Sequence, residues 1–395
     1  MSPYKAAFDI CKFNILFEKL LSTGLPAIVV RALMFSYQHQ YAWVKWGSVR
    51  SDIFCIRNGT RQGSIASPVF WAVYCDQLLK ELRKLGVGAY VAGVFMGASA
   101  YADDLVLVAP TRHAMQLMLG LCEEYSAKNN ILFSTHPNPQ LSKTKCIFMT
   151  GKAKNLVKPV PLTLWWRDLP LVECASHLGH TLHESGTMDQ DARVARAKLI
   201  DQLVDIQHSF FFASSVEILR AYQVYCSSHY GSMLWDLSGD SATQYFNSWT
   251  TGVKLAWQCP RATRTYLVQQ VLACGGISAK VDILSRFCKF FLNLRTSPCR
   301  EVSILANLVS RDVRSVTGNN VKHIMELSGY NLWLDSPTKV KAGLLEAEMV
   351  SCAKEDSWRV PYLGSLLQHR QEWYYRGDKD QVATTQTLID SLCVN

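Results

Sequence analysis

Asn58-Gly59-Thr60-Arg61-Gln62-Gly63-Ser64-Ile65-Ala66-Ser67-Pro68 and, further along the chain, Tyr101-Ala102-Asp103-Asp104 are the two stretches on which the reading of the fold turns. In the second, an apolar lead-in and the run Leu105-Val106-Leu107-Val108 flank two adjacent carboxylates. That is the pattern of a β-hairpin with charge at its turn. Like charges a few ångströms apart repel, so such a pair is costly unless a cation offsets it. Mg²⁺ takes carboxylates together with phosphate oxygens, and two such ions can clamp the attacking and leaving oxygens of a phosphoryl transfer. A plain polar turn is the competing reading of Asp103-Asp104 by itself. In the first stretch, Ser67-Pro68 reads as a helix start, a capping hydroxyl followed by proline at the first helical position.

That helix is expected to run to about Leu85, with Gly86 ending it and Trp71, Tyr74, Cys75, Leu78, Leu82 and Leu85 forming the buried stripe. Pro110-Thr111 opens a second helix with Met115, Met118, Leu119, Cys122 and Tyr125 on its apolar face. Upstream, residues 13–38 read as helix broken at Gly24 and Pro26, and residues 41–57 as a hairpin turning at Gly47-Ser48. Strands are expected at 145–150, 162–166 and 171–183, and helices at 190–212, 215–236, 240–257 and beyond, with Pro260 and Gly275-Gly276 as punctuation. The fold class is α+β: a mixed unit to about residue 185, then helices alone.

The chain has 395 residues, 49% hydrophobic and 18% charged, a globular composition long enough for two or three domains. No apolar run reaches the length of a membrane span; the best, residues 25–35, is interrupted by Arg31. The start, Met-Ser-Pro-Tyr-Lys, has no signal-peptide character, so an intracellular protein of cytoplasm and nucleus is expected, with no membrane partner. Of the 13 cysteines the nearest two, Cys288 and Cys299, are 11 apart, which leaves no zinc-finger spacing and reads as reduced, mostly buried thiols. The Asn58-Gly59-Thr60 sequon is then a coincidence, as is Arg376-Gly377-Asp378. His177, His180 and His183 recur every third residue, but on strands His180 is expected to face away from the other two, which argues against a metal set. The net charge of +9 is clustered: residues 126–167 hold seven basic residues and no acidic one, and residues 253–300 hold eight against Asp282 alone. With Trp257, Tyr266, Phe287, Phe290 and Phe291 interleaved, the second tract suits a phosphate backbone, or else a solvated basic face over core aromatics.

Taken together and at this spacing, the two opening stretches resemble the reverse transcriptases of non-LTR, LINE-type retrotransposons. Arg61-Gln62-Gly63 with Ser67-Pro68 resembles the motif that follows the fingers and starts the long palm helix, and Tyr101 to Asp104 resembles the YxDD catalytic turn. The resemblance implies a palm over residues 1–187, an antiparallel sheet backed by helices, then a helical thumb over 188–262 and a C-terminal helical region over 263–395. It implies RNA-directed DNA synthesis by two-metal nucleotidyl transfer with Mg²⁺ or Mn²⁺, on an RNA template and DNA primer with dNTP. In those terms Asp103 and Asp104 bind metal, Phe8 gates the sugar against a 2′-hydroxyl, and Gln62, Gly63 and Tyr101 shape the nucleotide pocket. Lys143, in Lys143-Thr144-Lys145, falls at the lysine proposed to protonate pyrophosphate, with Lys145 beside it on nucleic acid. Leu178-Gly179 resembles the primer grip, and residues 245–264, with Trp249, Trp257, Pro260, Lys254, Arg261 and Arg264, resemble the nucleic-acid-binding region after the thumb.

The sequence departs from that family in one ligand. Lys5-Ala6-Ala7-Phe8-Asp9 matches the end of the motif whose Asp lies five residues before the gating Phe, and that position is Pro3. No fingers or endonuclease segment precedes it in this sequence and no Cys/His knuckle follows, which reads either as an internal start in a truncated or decayed element or as a gene model that skipped the true beginning. Weak or absent polymerase activity is therefore expected, with a non-catalytic nucleic-acid-binding remnant as the alternative.

Overall fold

Start signals and helical periodicity set the framework of the computed structural model, which describes residues 7–61, 63–136, 138, 140–149, 160–256, 259, 263–274 and 278–353. Pro3, Gln62, Trp257, Pro260, Arg261, Gly275-Gly276 and Arg376-Gly377-Asp378 lie outside the described residues. The chain divides into two units, Met1–Gly186 and Thr187–Asn395.

In the first unit, α1 (Phe13–Ser22) and α2 (Ala27–Gln38) flank the Gly24/Pro26 break, and Gly24 takes φ 86° there. Two nested antiparallel pairs follow: β1 (Tyr41–Ala42) with β4 (Phe54–Cys55), and β2 (Lys45–Trp46) with β3 (Val49–Arg50) around Gly47-Ser48. Next comes α3 (Ser67–Lys84), one residue out of register with expectation at its start. Ala66 is the N-cap, and the buried Ser67 hydroxyl donates to the carbonyl of Arg61 instead of capping the helix. The serine thus ties the helix back to the loop before it. Two hairpins, β5 (Tyr90–Val91) with β6 (Val94–Phe95) and β7 (Ala98–Tyr101) with β8 (Asp104–Leu107), lead to α4 (Arg112–Asn129). The Thr111 hydroxyl accepts from the Ala114 N–H at 3.1 Å and caps α4, and Asn130 ends it in the left-handed region.

The core of this unit is Leu16, Phe17 and Leu20 of α1, Trp71, Tyr74, Leu78 and Leu82 of α3, and Met118, Cys122 and Tyr125 of α4. Truncating one of its aromatics to alanine costs about 3–5 kcal/mol. A polar tie crosses it: the Lys19 ammonium donates to the Tyr74 carbonyl at 2.7 Å and to the Tyr125 hydroxyl at 2.6 Å. Burial lowers the Lys19 pKa, with the sulfurs of Cys75 and Cys11 and the carboxylates of Glu81 and Glu18 opposing that shift.

The remaining strands are short. Of the expected strand at 145–150, the described residues show a parallel bridge from Cys146 to Leu171. The expected strand at 162–166 is instead β9 (Thr163–Leu164) and a turn at Trp165-Trp166, both with φ above 50°, returning as β10 (Arg167–Asp168). Tryptophan's strand preference misleads here, because the Leu164↔Arg167 pairing forces a two-residue turn. Finally β11 (Cys174–His177) and β12 (His180–His183) pair around Leu178-Gly179. Among the described residues every sheet has two strands, so the antiparallel sheet expected with the helices takes the form of separate small hairpins.

The second unit is helical: α5 (Asp189–Ser209), α6 (Ser215–Tyr225), α7 (Asp240–Ala256), α8 (Thr265–Cys274), α9 (Ala279–Arg295), α10 (Arg300–Val309), α11 (Val316–Ser328) and α12 (Pro337–Ala353). The expected helix at 215–236 stops at Tyr225, and beyond it His229 and Gly231 adopt positive φ, which a right-handed helix cannot run through. One core runs from Ala192 to Leu344, with Tyr222, Trp235, Trp249 and Phe287 as its large members. Gly252 lets α6 and α7 meet, since a Cβ there would overlap the ring of Tyr222.

Candidate active site

The two opening stretches converge in the first unit. The β7–β8 register pairs Tyr101 with Asp104, so Ala102 and Asp103 form the turn. Ala102 has φ 51°, a left-handed backbone that costs a non-glycine residue about 1 kcal/mol. A residue absent from the sequence-based site holds it there: the indole N–H of fully buried Trp71, in the first turns of α3, donates to the Ala102 carbonyl at 2.8 Å. Its position in the stripe of α3 signals burial but not this bond. Phe8 packs against Trp71, ring centres 5.7 Å apart. The indole therefore joins the turn to the residue expected at the sugar gate.

The backbone of Phe8 is fixed in turn by the loop from Asn58. Lys12 bridges Asn58, the Gly59 N–H donates to the Cys11 carbonyl at 2.8 Å, and the Thr60 N–H donates to the Phe8 carbonyl at 2.7 Å. Gly59 takes φ 90°, and a Cβ there would come within 3.1 Å of Phe8 and Asp9 backbone atoms, so a side chain would push the loop off. Gly63 also has positive φ, 83°, with open space where a Cβ would stand. Gln62, its neighbour, lies outside the described residues.

The carboxylates differ in setting. Tyr101 is 69% exposed, whereas Asp103 and Asp104 are half-buried. One oxygen of Asp104, Oδ1, is out of contact with solvent and has no hydrogen-bond partner among the described residues. Such an oxygen costs free energy until something meets it. Beneath the turn, burial pushes the Cys75 thiol pKa up, with the charge of Asp103 among the lesser causes. Burial lowers the His177 pKa, and Asp104 partly offsets that, which places the end of β11 within electrostatic reach of the turn.

A hard divalent cation fits this donor set: adjacent carboxylates, one oxygen desolvated and unmet. Among the described residues no group of three or more His, Cys, Asp or Glu stands together to hold an ion. The candidate donors at the turn are thus two, and Mg²⁺ commonly fills the rest of its shell with phosphate and water.

The other expected residues are placed as follows. Lys143 is exposed and Lys145 half-buried, in a segment pinned by Thr144 N–H to the Ser134 carbonyl (3.2 Å) and Cys146 N–H to the Pro170 carbonyl (2.9 Å). Leu178 and Gly179 both have positive φ, the geometry of a tight hairpin turn. His177 pairs directly with His180, so these two share a face and His183 pairs with Cys174 on the opposite one. Counting alternation across the turn had separated them wrongly. In the second unit the Lys254 ammonium is turned inward, donating to the Thr263 carbonyl and Thr265 hydroxyl at 2.7 Å each, and Arg264 is exposed. No helix among the described residues is long and apolar enough to cross a membrane.

Residues 4–181 match the family described as reverse transcriptase (RNA-dependent DNA polymerase). The chain is similar to the retrovirus-related Pol polyprotein of the type-2 retrotransposable element R2DM of Drosophila melanogaster, 31% identical over 113 residues, 29% of this chain and 11% of that protein. It is also similar to a retrovirus-related Pol polyprotein from a type-1 retrotransposable element of Nasonia vitripennis, 25% identical over 152 residues, 38% of this chain and 14% of that protein. A third relative is a putative 115 kDa protein in the type-1 retrotransposable element R1DM of Drosophila melanogaster, 25% identical over 187 residues, 46% of this chain and 16% of that protein. The chain spans 11% to 16% of the length of these relatives. With the carboxylate turn, the helix that anchors it and the loop that leads into that helix all inside the matched segment, residues 4–181 are a reverse transcriptase domain of the kind found in retrotransposon polyproteins.

Proposed function

We propose that the Asp103-Asp104 turn is where this domain holds a divalent cation for adding nucleotides to a DNA primer on an RNA template, and that the 395-residue chain does so weakly or not at all. The observation that carries the proposal is the Trp71-anchored turn with the unmet, buried oxygen of Asp104. Mg²⁺ or Mn²⁺, when bound, supplies stabilisation of the charge that develops on phosphate oxygens.

The chain's own residues do the rest. Asp103 and Asp104 hold the ion. The Phe8 ring, seated on Trp71, closes the sugar side of the pocket against a 2′-hydroxyl. Gln62, Gly63 and Tyr101 shape the nucleotide site, and the open space at Gly63 lets backbone approach a base or phosphate. Lys143 gives a proton to departing pyrophosphate, with Lys145 on the nucleic-acid backbone. Gly179 admits the primer close to the β11–β12 turn. In the second unit Arg261 and Arg264 meet phosphates, and Lys254 joins them only on leaving Thr263 and Thr265. These roles make residues 1–187 a palm, 188–262 a thumb and 263–395 a C-terminal helical region.

Proline at position 3 is the reason for low activity. Its side chain cannot ligate a cation, and carboxylates from one hairpin alone do not bring two ions to about 3.5–4 Å of each other. The test is primer extension on an RNA template with Mg²⁺ or Mn²⁺, alongside Mn²⁺ binding by paramagnetic resonance. The chain is expected to bind one Mn²⁺, to lose it in Asp103→Ala, and to extend primers poorly. Robust extension that disappears in Asp103→Ala would keep the site and overturn the low-activity reading. Extension that survives Asp103→Ala would overturn the site itself.

A further inference from the structure

Between Leu20 and Cys75 the sequence carries Arg31, Lys45, Arg50, Arg57 and Arg61 against Asp52 alone. The β2–β3 hairpin stands in the middle of that basic stretch. Its register, Lys45 opposite Arg50 and Trp46 opposite Val49, puts two cations on one face and an indole on the other. Trp43 joins the cationic face, with the Arg50 guanidinium carbon 5.7 Å from its ring centre. Both indoles are open to solvent, Trp46 at 86% and Trp43 at 53%. Large apolar surface left exposed between charges marks a place where something binds.

Backbone hydrogen bonds join the hairpin to the candidate site. Ser51 N–H donates to the Val44 carbonyl, and Val44 N–H to the Ser51 hydroxyl, both at 2.9 Å. The ladder continues through Tyr41 opposite Cys55, the Ile56 N–H on the Gln40 carbonyl at 2.9 Å, and the Lys12–Asn58 bridge. One stretch of backbone therefore runs from the exposed indoles to the loop of Gly63 and the carbonyl of Phe8.

We propose that the β2–β3 hairpin is a stacking platform for single-stranded RNA, gripping the unpaired template on its way to the Gly63 loop; this rests on the reverse-transcriptase reading of the site. The Trp43 indole accepts any base, Lys45 and Arg50 on the same face meet the adjoining phosphates, and Trp46 on the opposite face stacks a further base of a strand that crosses the hairpin. On the face of Trp43, Lys45 and Arg50 the charge decides for a polyanion over an apolar protein partner, which would be ill matched to a cross-strand pair of cations. Trp166 is 99% exposed as well, but its hairpin sets Arg167 beside Asp168 and carries no net charge.

The test is fluorescence anisotropy of a labelled, mixed-sequence single-stranded RNA of about ten nucleotides, titrated with the full chain without metal or dNTP. Under those conditions a failure of catalysis leaves the readout intact, and the two proposals fall separately. Trp46→Ala is expected to weaken binding by about 5- to 150-fold, the range for loss of one stacked base. Trp46→Phe should restore most of the affinity, and Lys45→Gln with Arg50→Gln should flatten the salt dependence. Affinity for a blunt RNA duplex should not change in Trp46→Ala. Unchanged single-strand affinity in a folded Trp46→Ala variant would overturn the proposal, as would an equal loss on duplex and single strand. Self-association that Trp46→Ala abolishes, with RNA affinity untouched, would reassign the face to a second copy of the chain.

Discussion

Each unit buries a tryptophan whose indole N–H donates at 2.8 Å to an oxygen, and the two oxygens differ in kind. In the second unit Trp235 donates to the carboxylate of buried Asp191, in the first turn of α5, where the helix dipole also favours negative charge. Asn320 then meets the neighbouring backbone, donating to the Trp235 carbonyl and accepting from the Leu237 N–H, both at 2.8 Å. The polar groups there are parts of the fold. In the first unit Trp71 donates to a backbone carbonyl and fixes the turn, while Oδ1 of Asp104 is buried and unmet. A buried carboxylate that the protein satisfies is structural. One that sits at an anchored turn with an unmet oxygen is the candidate position for a ligand under the proposed function.

The largest expected effect tests the structural side of that contrast by pH. His229, with its side chain 1% exposed, shares a hydrogen bond between Nδ1 and the Tyr245 hydroxyl at 3.1 Å and stands 3.9 Å from Asp282. Burial lowers its pKa from 6.5 to about 4, with Asp282 opposing and Arg286 assisting. The unfolded chain binds a proton near pH 6.5, while the folded chain stays neutral down to about pH 4. The stability tied to neutral His229 is therefore complete above pH 6.5 and lost as pH falls to about 4. At about 1.4 kcal/mol per pH unit, the window is worth about 3 kcal/mol. Urea unfolding at a series of pH values should show a shallower decline for His229→Gln than for the parent chain. Carboxylates titrate in both and cancel in the difference, so coincident profiles would remove His229 from the structural network.

The two indoles give the next effects in size. Trp235→Phe withdraws a donor from a buried carboxylate and should cost about 2 kcal/mol, read as a lower urea midpoint for the second unit. Trp71→Phe loses a hydrogen bond between neutral groups, about 1 kcal/mol. Its larger consequence should be several-fold weaker Mn²⁺ binding, because the turn is no longer held. Equal stability costs with undisturbed Mn²⁺ binding would make Trp71 an ordinary core residue.

The carboxylate hairpin, the Thr111 cap, the Gly24/Pro26 break and the Gly47-Ser48 turn were legible because each depends on residues within a few positions of one another. What escaped depends on partners far along the chain. A stripe of apolar residues on α3 says that Trp71 is buried, not that its N–H meets a carbonyl 31 residues away. The Ser67 hydroxyl looks like a cap until the Arg61 carbonyl turns toward it. Trp165-Trp166 looks like strand by propensity, and only the pairing of Leu164 with Arg167 makes it a turn. The histidine faces were misassigned because alternation holds along one strand, whereas His177 and His180 sit opposite each other across a turn. Lys254 reads as a surface cation, yet its partners Thr263 and Thr265 lie past the end of its helix. The exposed β2–β3 platform escaped for another reason: its basic residues are too sparse to form a charge run.

The smallest expected effect is the sharpest test of the functional side. If Asp104 is set for a ligand, its geometry is maintained at a cost in the free protein, because Oδ1 is removed from water without receiving a hydrogen bond. Asp104→Asn keeps the shape and removes the charge. In the presence of a chelator the variant should be no less stable than the parent, and more stable by up to about 1 kcal/mol, as expected where a functional group has been held against stability. With Mn²⁺ added the order should reverse, because only the parent gains the linkage term from an ion that binds the folded state. Thermal midpoints of both proteins, with chelator and with Mn²⁺, measure all four states. A variant destabilised to the same extent under both conditions would show that Asp104 is satisfied within the fold, as Asp191 is, and the distinction between the two units would fail at the residue on which it rests.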